Sequence, residues 1–206
     1  TLLASSAASD VYKRQVSGNE SASELAYKAS LNALENAGLD KTELDMIIAA
    51  TSAPDHLYPS LSCEVLGKLG LDRGIPAFDV TAACTGFVYA LGIARSFVQT
   101  GQCKNILVIG ADVHSRVLDW SDRATCVLFG DGAGAMVVSK SDDAINRVLS
   151  VKMHANGAKS SELKIPIAGK NCPLVEPREE EPQFLSMNGR ETVSYTHLTL
   201  PTKLEV

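Results

Sequence analysis

The chain has 206 residues, 45% of them hydrophobic and 21% charged, and a formal net charge of −5. That length supports a core of its own, and no apolar run approaches the roughly 18 residues of a membrane span, so a soluble protein with no membrane partner is expected. The acidic balance, without a Lys/Arg block or stripe, excludes nucleic acid or an anionic membrane surface as the expected main partner.

The first fifteen residues are rich in Ser and Ala and keep no period, and residues 193–206 are equally unlike what precedes them. The expected organisation is a non-native leader over 1–15, a single domain over 16–192 and a non-native tail over 193–206. Within the domain, Ser21-Ala22-Ser23-Glu24 is a capping-box pattern and predicts a helix start. Leu25, Ala29 and Ala33, with Ala22, Ala26, Leu34 and Ala37 beside them, make a narrow stripe of small residues for close packing, and Gly38 supplies the stop. Met46 to Ala50 is short and apolar with isoleucines at its centre, a strand buried on both faces as in a parallel sheet. After a loop with Pro54 and Pro59, the pattern predicts a helix over 60–69 closed by Gly70, a strand over 76–80, a helix over 85–100 ended by Gly101, and a buried strand over 106–109. Residues 125–129 and 135–139 bracket a glycine-rich turn, and 147–154 form a last extended segment before Pro- and Glu-rich sequence. The alternation predicts an α/β fold in layers; the sequence has no internal repeat and no low-complexity segment.

Five cysteines, Cys63, Cys84, Cys103, Cys126 and Cys172, form no Cys-x-x-Cys pair, so neither a zinc cluster nor a disulfide framework is expected and a reducing cytoplasm fits. Cys84 stands apart from the rest. The run Phe78-Asp79-Val80-Thr81-Ala82-Ala83-Cys84-Thr85-Gly86-Phe87 carries a strand through small residues into a cysteine that opens a long helix. The unpaired N–H groups and positive end of a helix favour thiolate over thiol. Ala82, Ala83 and Gly86 leave room for an acyl chain, and the Cys84 N–H can serve as half of an oxyanion hole. The alternative is a small buried hydrophobe, the usual fate of a free cysteine, and the other four cysteines are assigned to it. Gly130-x-Gly132-x-Gly134 lacks the Lys-Ser/Thr of a phosphate loop and the spacing of a dinucleotide fingerprint, so a tight turn is predicted. Arg123 reads as a solvated surface charge and Tyr58 as a core or rim aromatic. His56, His114 and His154 show no positioning partner at recognisable spacing, His197 falls in the tail, and none is nominated as a base.

The run Asp79 to Leu91, Asp-Val-Thr-Ala-Ala-Cys-Thr-Gly-Phe-Val-Tyr-Ala-Leu, resembles the active-site segment of the β-ketoacyl-acyl-carrier-protein synthase III family, within the thiolase-like condensing enzymes. Asp122-Arg123 followed by Val127-Leu128-Phe129-Gly130-Asp131-Gly132-Ala133-Gly134-Ala135 resembles its second signature, and Thr51-Ser52-Ala53 through Tyr58-Pro59-Ser60 the segment before its active-site strand. Two long signatures in the right order are more specific than either alone. The resemblance covers about residues 20–191.

It implies a layered thiolase-like α/β fold of which this chain is the first, nucleophile-bearing half. It makes Cys84 the acyl-accepting nucleophile and Arg123, Phe87 and Tyr58 substrate-binding residues. Arg123 would meet the nucleotide end of coenzyme A, and Tyr58 would cross a homodimer to line the partner's acyl pocket. The glycine-rich segment would support the site, and His154 would be structural. The implied reaction is a decarboxylating Claisen condensation of acyl-CoA with malonyl-acyl-carrier protein, initiating fatty-acid elongation through a cysteine acyl-enzyme. Coenzyme A thioester is then a substrate, with no resident cofactor and no metal. In the family a histidine, an asparagine and a glycine-rich loop from the second half complete the site. The chain is therefore expected to be a fragment that can be acylated at Cys84 but is inactive in the condensation alone. Two alternatives stand beside this: a related polyketide-starter or hydroxymethylglutaryl-CoA-type synthase, and a noncatalytic coenzyme A or acyl-carrier binding module in which Cys84 is inert.

Overall fold

The structure is a computed structural model that describes residues 15–16, 20–140, 148–165, 184–189 and 192. It divides into two compact units, one of residues 1–114 with 130–153 and the other of 115–129 with 154–206.

The first unit holds α1 (Ala22–Ala37), β1 (Met46–Ala50), α2 (Leu61–Lys68), β2 (Ala77–Val80), α3 (Gly86–Gln99), β3 (Asn105–Val113) and β4 (Asp131–Ser139). Its sheet, among the described residues, has the order β2-β1-β3-β4. β1 runs parallel to both neighbours, with Ile48 opposite Phe78 on one side and Val108 on the other, and β4 closes the edge antiparallel to β3. Because side chains alternate along a strand, the sheet feeds two cores. Ile47, Ala49, Leu107, Ile109, Ala111 and Val113 face α1 and α2, meeting Ala22, Ala26, Leu34, Leu61 and Val65. Met46, Ile48, Ala50, Ile106 and Val108 face α3, meeting Ala90, Ala94 and Val98. All five residues of β1 are buried, as an interior strand covered on both sides requires. Each of the fully buried Ile47, Ile48, Leu107 and Ile109 contributes about 1.5–3 kcal/mol of transfer free energy.

The helix ends follow the sequence. Ser21 accepts from the Glu24 N–H at 3.1 Å, and Gly38 takes the left-handed conformation at φ 60° that ends α1, a region open to glycine without steric cost. Glu24 also accepts a hydrogen bond from Lys68 Nζ at 3.1 Å. The buried stripe is Ala22, Ser23, Ala26, Ser30, Ala33 and Leu34, with Leu25 and Ala29 half-buried and Ala37 exposed. Two serines thus stand where only apolar residues were expected. Ser30 can be buried because its hydroxyl donates to the Ala26 carbonyl at 2.6 Å, which satisfies the polar group inside the helix.

Three predicted elements differ. The segment over 125–129, expected to flank a glycine-rich turn, begins in a helix: α4 (Arg123–Cys126), in the second unit, is a single helical turn started by Asp122, whose carboxylate accepts from the Ala124 N–H. The glycine-rich segment is not a tight turn, because β4 begins at Asp131 and runs straight through Gly132 and Gly134, opposite Asp112 and Gly110 of β3. Glycine is tolerated there because nine consecutive residue pairs bind the strand into the ladder. The expected extended segment has no strand partner in its described part, 148–154. It packs on α3 instead: Arg95 Nε donates to the Val148 carbonyl at 3.1 Å, and Val151 and Met153 lie over Gly92, where a Cβ would sit 3.1 Å from Val151 Cγ1.

The second unit pairs β5 (Leu163–Lys164) with β6 (Ser186–Met187). Its small core gathers Leu118, Cys126 and Leu185, with Val117, Phe129 and Met187 against them. No helix among the described residues is long and apolar enough to cross a membrane.

Candidate active site

β2 ends at Val80, and the chain passes through a single 3₁₀ turn, Ala83–Thr85, before α3 begins at Gly86. The helix therefore starts one residue later than the sequence indicates, and Cys84 sits in the turn ahead of it. The turn's first hydrogen bond runs from the Thr85 N–H to the Ala82 carbonyl at 3.2 Å, so the Cys84 amide precedes the ladder. Cys84 is exposed, which sets aside the reading of it as a buried hydrophobe.

The residue before it is strained. Ala83 has φ 46°, the one non-glycine residue at positive φ among those described. A left-handed alanine costs about 1–2 kcal/mol, and such conformations persist only where surrounding structure over-determines them. One constraint is visible immediately: Gly86 is buried, and a Cβ there would lie 3.3 Å from Ala50 Cβ and 3.6 Å from the Val80 carbonyl oxygen. The head of α3 thus rests directly on the carboxyl ends of β1 and β2. Immediately after Gly86, Phe87 turns its ring under the helix against Gly110, whose absent Cβ would fall 3.1 Å from Phe87 Cδ2. Phe87 is a half-buried part of the α3-side core.

Carboxylates fix the segments around this junction. Asp79 accepts from the Leu61 and Ser62 N–H groups at the start of α2, at 2.7 and 2.9 Å. Asp55 does the same for Ala22 and Ser23 at the start of α1, both at 2.9 Å. In each helix a serine, Ser60 or Ser21, caps the next amide. Asp112 Oδ1, on β3, accepts from the Ser52 and Ala53 N–H groups at 2.6 and 2.9 Å and from Thr51 Oγ1 at 3.2 Å. The loop leading from β1 to α2 is thereby held at its start by Asp112 and at its exit by Asp79. Tyr58 rides on that loop, 86% exposed, so it is no core aromatic. None of these aspartates was singled out from sequence, although each follows the rule that orphan helix or turn amides seek an acceptor.

Arg123 is exposed at the first position of α4. It belongs to the second unit, whereas Cys84, Phe87 and Tyr58 belong to the first. His56, expected to lack a partner, has one: its Nδ1 lies 2.7 Å from Glu64 Oε1 on α2, a pair missed because eight residues of loop and helix separate the two. His154 is exposed.

Among the remaining cysteines, Cys126 is buried as expected, but Cys63 is exposed on α2, because the buried face of that helix is carried by Leu61, Ser62 and Val65. Burial, and then the nearby Asp45 charge, push the Cys103 thiol up, away from nucleophilic use at neutral pH. Cys172 and His197 lie outside the described residues. Among those described, no group of three or more His, Cys, Asp or Glu could hold a metal ion.

The layered fold that carries this elbow has counterparts among solved structures. The crystal structure of 3-oxoacyl-[acyl-carrier-protein] synthase III from Aquifex aeolicus VF5 matches with a TM-score of 0.76 at 42% identity, over 88% of this chain and 54% of that one. The priming β-ketosynthase of the R1128 polyketide pathway matches with a TM-score of 0.74 at 30% identity, over 90% and 54%. The fold is the thiolase-like fold of the condensing enzymes. At the sequence level, the 3-oxoacyl-[acyl-carrier-protein] synthase III family profile matches residues 78–157, a stretch that contains the whole elbow. The β-ketoacyl-[acyl-carrier-protein] synthase III of Campylobacter fetus subsp. fetus is 45% identical over 193 residues, 91% of this chain and 57% of that protein. In sequence and in fold the chain matches the β-ketoacyl-acyl-carrier-protein synthase III family, and it spans little more than half the length of these relatives.

Proposed function

We propose that this chain supplies the acyl-accepting thiol of a β-ketoacyl-acyl-carrier-protein synthase III, with Cys84 as the nucleophile. The observation that carries the reading is the exposed cysteine at the Ala83–Cys84 elbow, lying inside the stretch that matches the family. In the first step the Cys84 sulfur attacks the thioester carbonyl of an acyl-CoA. A carbon–sulfur bond forms, the tetrahedral oxyanion collapses, and coenzyme A leaves as its thiol, carrying the proton lost from Cys84. The Cys84 N–H, ahead of the helical ladder, is the donor this chain offers to that oxyanion. In the second step malonyl-acyl-carrier protein loses carbon dioxide, and the electron pair of the broken bond becomes the enolate carbon that attacks the acyl-enzyme. Cys84 leaves as thiolate and takes up a proton. Covalent catalysis divides one difficult step into two.

Phe87, Tyr58 and Arg123 are the proposed substrate-binding residues. The exposure of Tyr58 and Arg123 supports roles outside the core, Tyr58 in a partner's acyl pocket and Arg123 against the nucleotide of coenzyme A. The half-buried Phe87 ring, three residues from the sulfur, would form the floor of the acyl site. The reading includes a cytoplasmic homodimer, and the acyl group arrives already activated as a thioester, so the chemistry proposed for Cys84 calls on no resident cofactor.

Mass spectrometry after incubation with acetyl-CoA and longer acyl-CoAs tests it. The expected result is an acyl adduct on the Cys84 peptide that is missing from Cys84→Ala. A folded chain that stays unmodified would favour a noncatalytic coenzyme A or acyl-carrier binding module. The match to a priming polyketide β-ketosynthase supports a second reading with the same thiol chemistry and a different starter. Competition among straight, branched and aromatic acyl-CoAs separates the two.

A further inference from the structure

We infer that Asp79 is a positioning residue for Cys84: its carboxylate anchors the end of β2 to α2 and so holds Ala83 in the left-handed conformation that presents the sulfur. Asp79 is the penultimate residue of β2 and lies five positions before Cys84. Its two oxygens divide between two adjacent amides, Oδ2 accepting from Leu61 at 2.7 Å and Oδ1 from Ser62 at 2.9 Å. That bidentate grip fixes the strand end against rotation as well as translation. α2 is itself immobilised, with Leu61 and Val65 fully buried under the sheet and Ser60 Oγ capping the Cys63 amide.

On the other side of the elbow, Gly86 is pressed onto Ala50 and the Val80 carbonyl. The chain between Val80 and Gly86 therefore has to reverse between two fixed ends. Ala83 absorbs that reversal at φ 46°, a conformation an alanine abandons once nothing holds it. Removing the Gly86 contact would unseat the whole helix, whereas removing the Asp79 carboxylate parts the strand end from the start of α2 and leaves the β1–β2 ladder in place. Asp79 is thus the constraint that can be tested by itself.

The inference rests on Cys84 being the nucleophile, and its test reads thiol presentation without any acyl-CoA. The rate of Cys84 alkylation by iodoacetamide is measured on the full chain by peptide mapping, at several pH values. Asp79→Ala is expected to lower that rate about 5- to 30-fold, the population lost when a left-handed alanine is no longer held. Asp79→Asn, which keeps one acceptor, is expected to fall between. Adding Ala83→Gly to either variant restores the rate, because glycine takes positive φ without an anchor.

The control is Asp45→Asn. Asp45 makes the same kind of backbone clamp, accepting from Lys104 and Asn105 at 2.7 and 3.0 Å, but at the opposite end of the sheet, and it should leave Cys84 alkylation unchanged. Full-rate alkylation in both Asp79 variants overturns the inference, as does a folded double variant in which Ala83→Gly restores nothing. If Asp79→Ala does not fold, Asp79→Asn with and without Ala83→Gly decides alone. Normal alkylation of the parent chain without any acyl transfer from acyl-CoA would sink the proposed function and leave the positioning role standing.

Discussion

Ile48→Ala measures how firmly the platform under the elbow is packed. Ile48 is fully buried, hydrogen-bonded into the sheet between β2 and β3, and covered by Ala90 and Ala94 of α3. The substitution deletes three carbons, and at about 0.8 kcal/mol per buried methylene the transfer loss is about 2.4 kcal/mol. The gap has little means of closing. Strands on both sides hold β1 in place, and the alanine methyls of α3 cannot extend into it, so a cavity cost remains and the total comes to about 3–4 kcal/mol. In a chain of this size each kcal/mol lowers Tm by about 2–4 °C, giving a fall of about 6–16 °C by circular dichroism with a matching loss of urea midpoint. Val137→Ala, half-buried on the edge strand, is the reference and should cost about 1 kcal/mol. An Ile48→Ala chain within about 1 kcal/mol of the parent would refute the packing argument.

Other perturbations probe separate features. Partial burial tends to raise the Asp45 carboxyl, but the Asn105 and Lys104 amides and the Arg73 charge outweigh it and hold its pKa below the usual carboxylate value. Its contribution to stability is therefore present above the unfolded carboxylate pKa of about 3.9 and lost as pH falls through the lower folded one; Asp45→Asn should flatten that acid limb in urea titrations between pH 6 and 2. Gly132→Ala meets nothing within 4 Å and should shift stability by no more than about 0.5 kcal/mol. Gly110→Val drives into the Phe87 ring, whose Cδ2 would stand 3.1 Å from the first added carbon, and should cost about 1–3 kcal/mol in the same denaturation assay. Native-state labelling with peptide mapping should modify the exposed Cys63 and Cys84 and spare Cys126, 2% exposed, until the chain unfolds; early modification of Cys126 would contradict its burial.

What the sequence disclosed was what depends on neighbours along the chain. Ser21 and Gly38 bound α1, Ser60 and Gly70 bound α2, and the five apolar residues of β1 announced a covered interior strand, because caps and periodicity act over a few residues. The strand-to-helix junction around Cys84 was legible for the same reason, with its strand, its small residues and its helix all contiguous. Features joined across long separations were not legible. Asp79 meets Leu61 and Ser62 from the next strand over, Asp112 reaches back to Ser52 and Ala53, and His56 finds Glu64 only once the loop is folded. The glycines of β4 misled because their local signal is a turn, whereas pairing to β3 decided their conformation, a tertiary override of local preference. Ala83 gave no signal at all, since its strain is imposed by the two ends it connects.

The register of the central strands also bears on the order in which the chain assembles. Met46 lies opposite Ile106, a long closure, whereas Val113 lies opposite Asp131 across a much shorter one. Loop-closure entropy therefore favours β3 and β4 forming first as an antiparallel ribbon, onto whose inner edge β1 then docks. The elbow, which needs β1 and β2 both in place beneath Gly86, would be among the last features to form, and pulse-labelling hydrogen exchange should find amides of Ile106–Ile109 protected before those of Phe78–Val80. Protection in the reverse order would rule that sequence out. The Cys84 thiol would then take up its final orientation only after the sheet that supports it is complete.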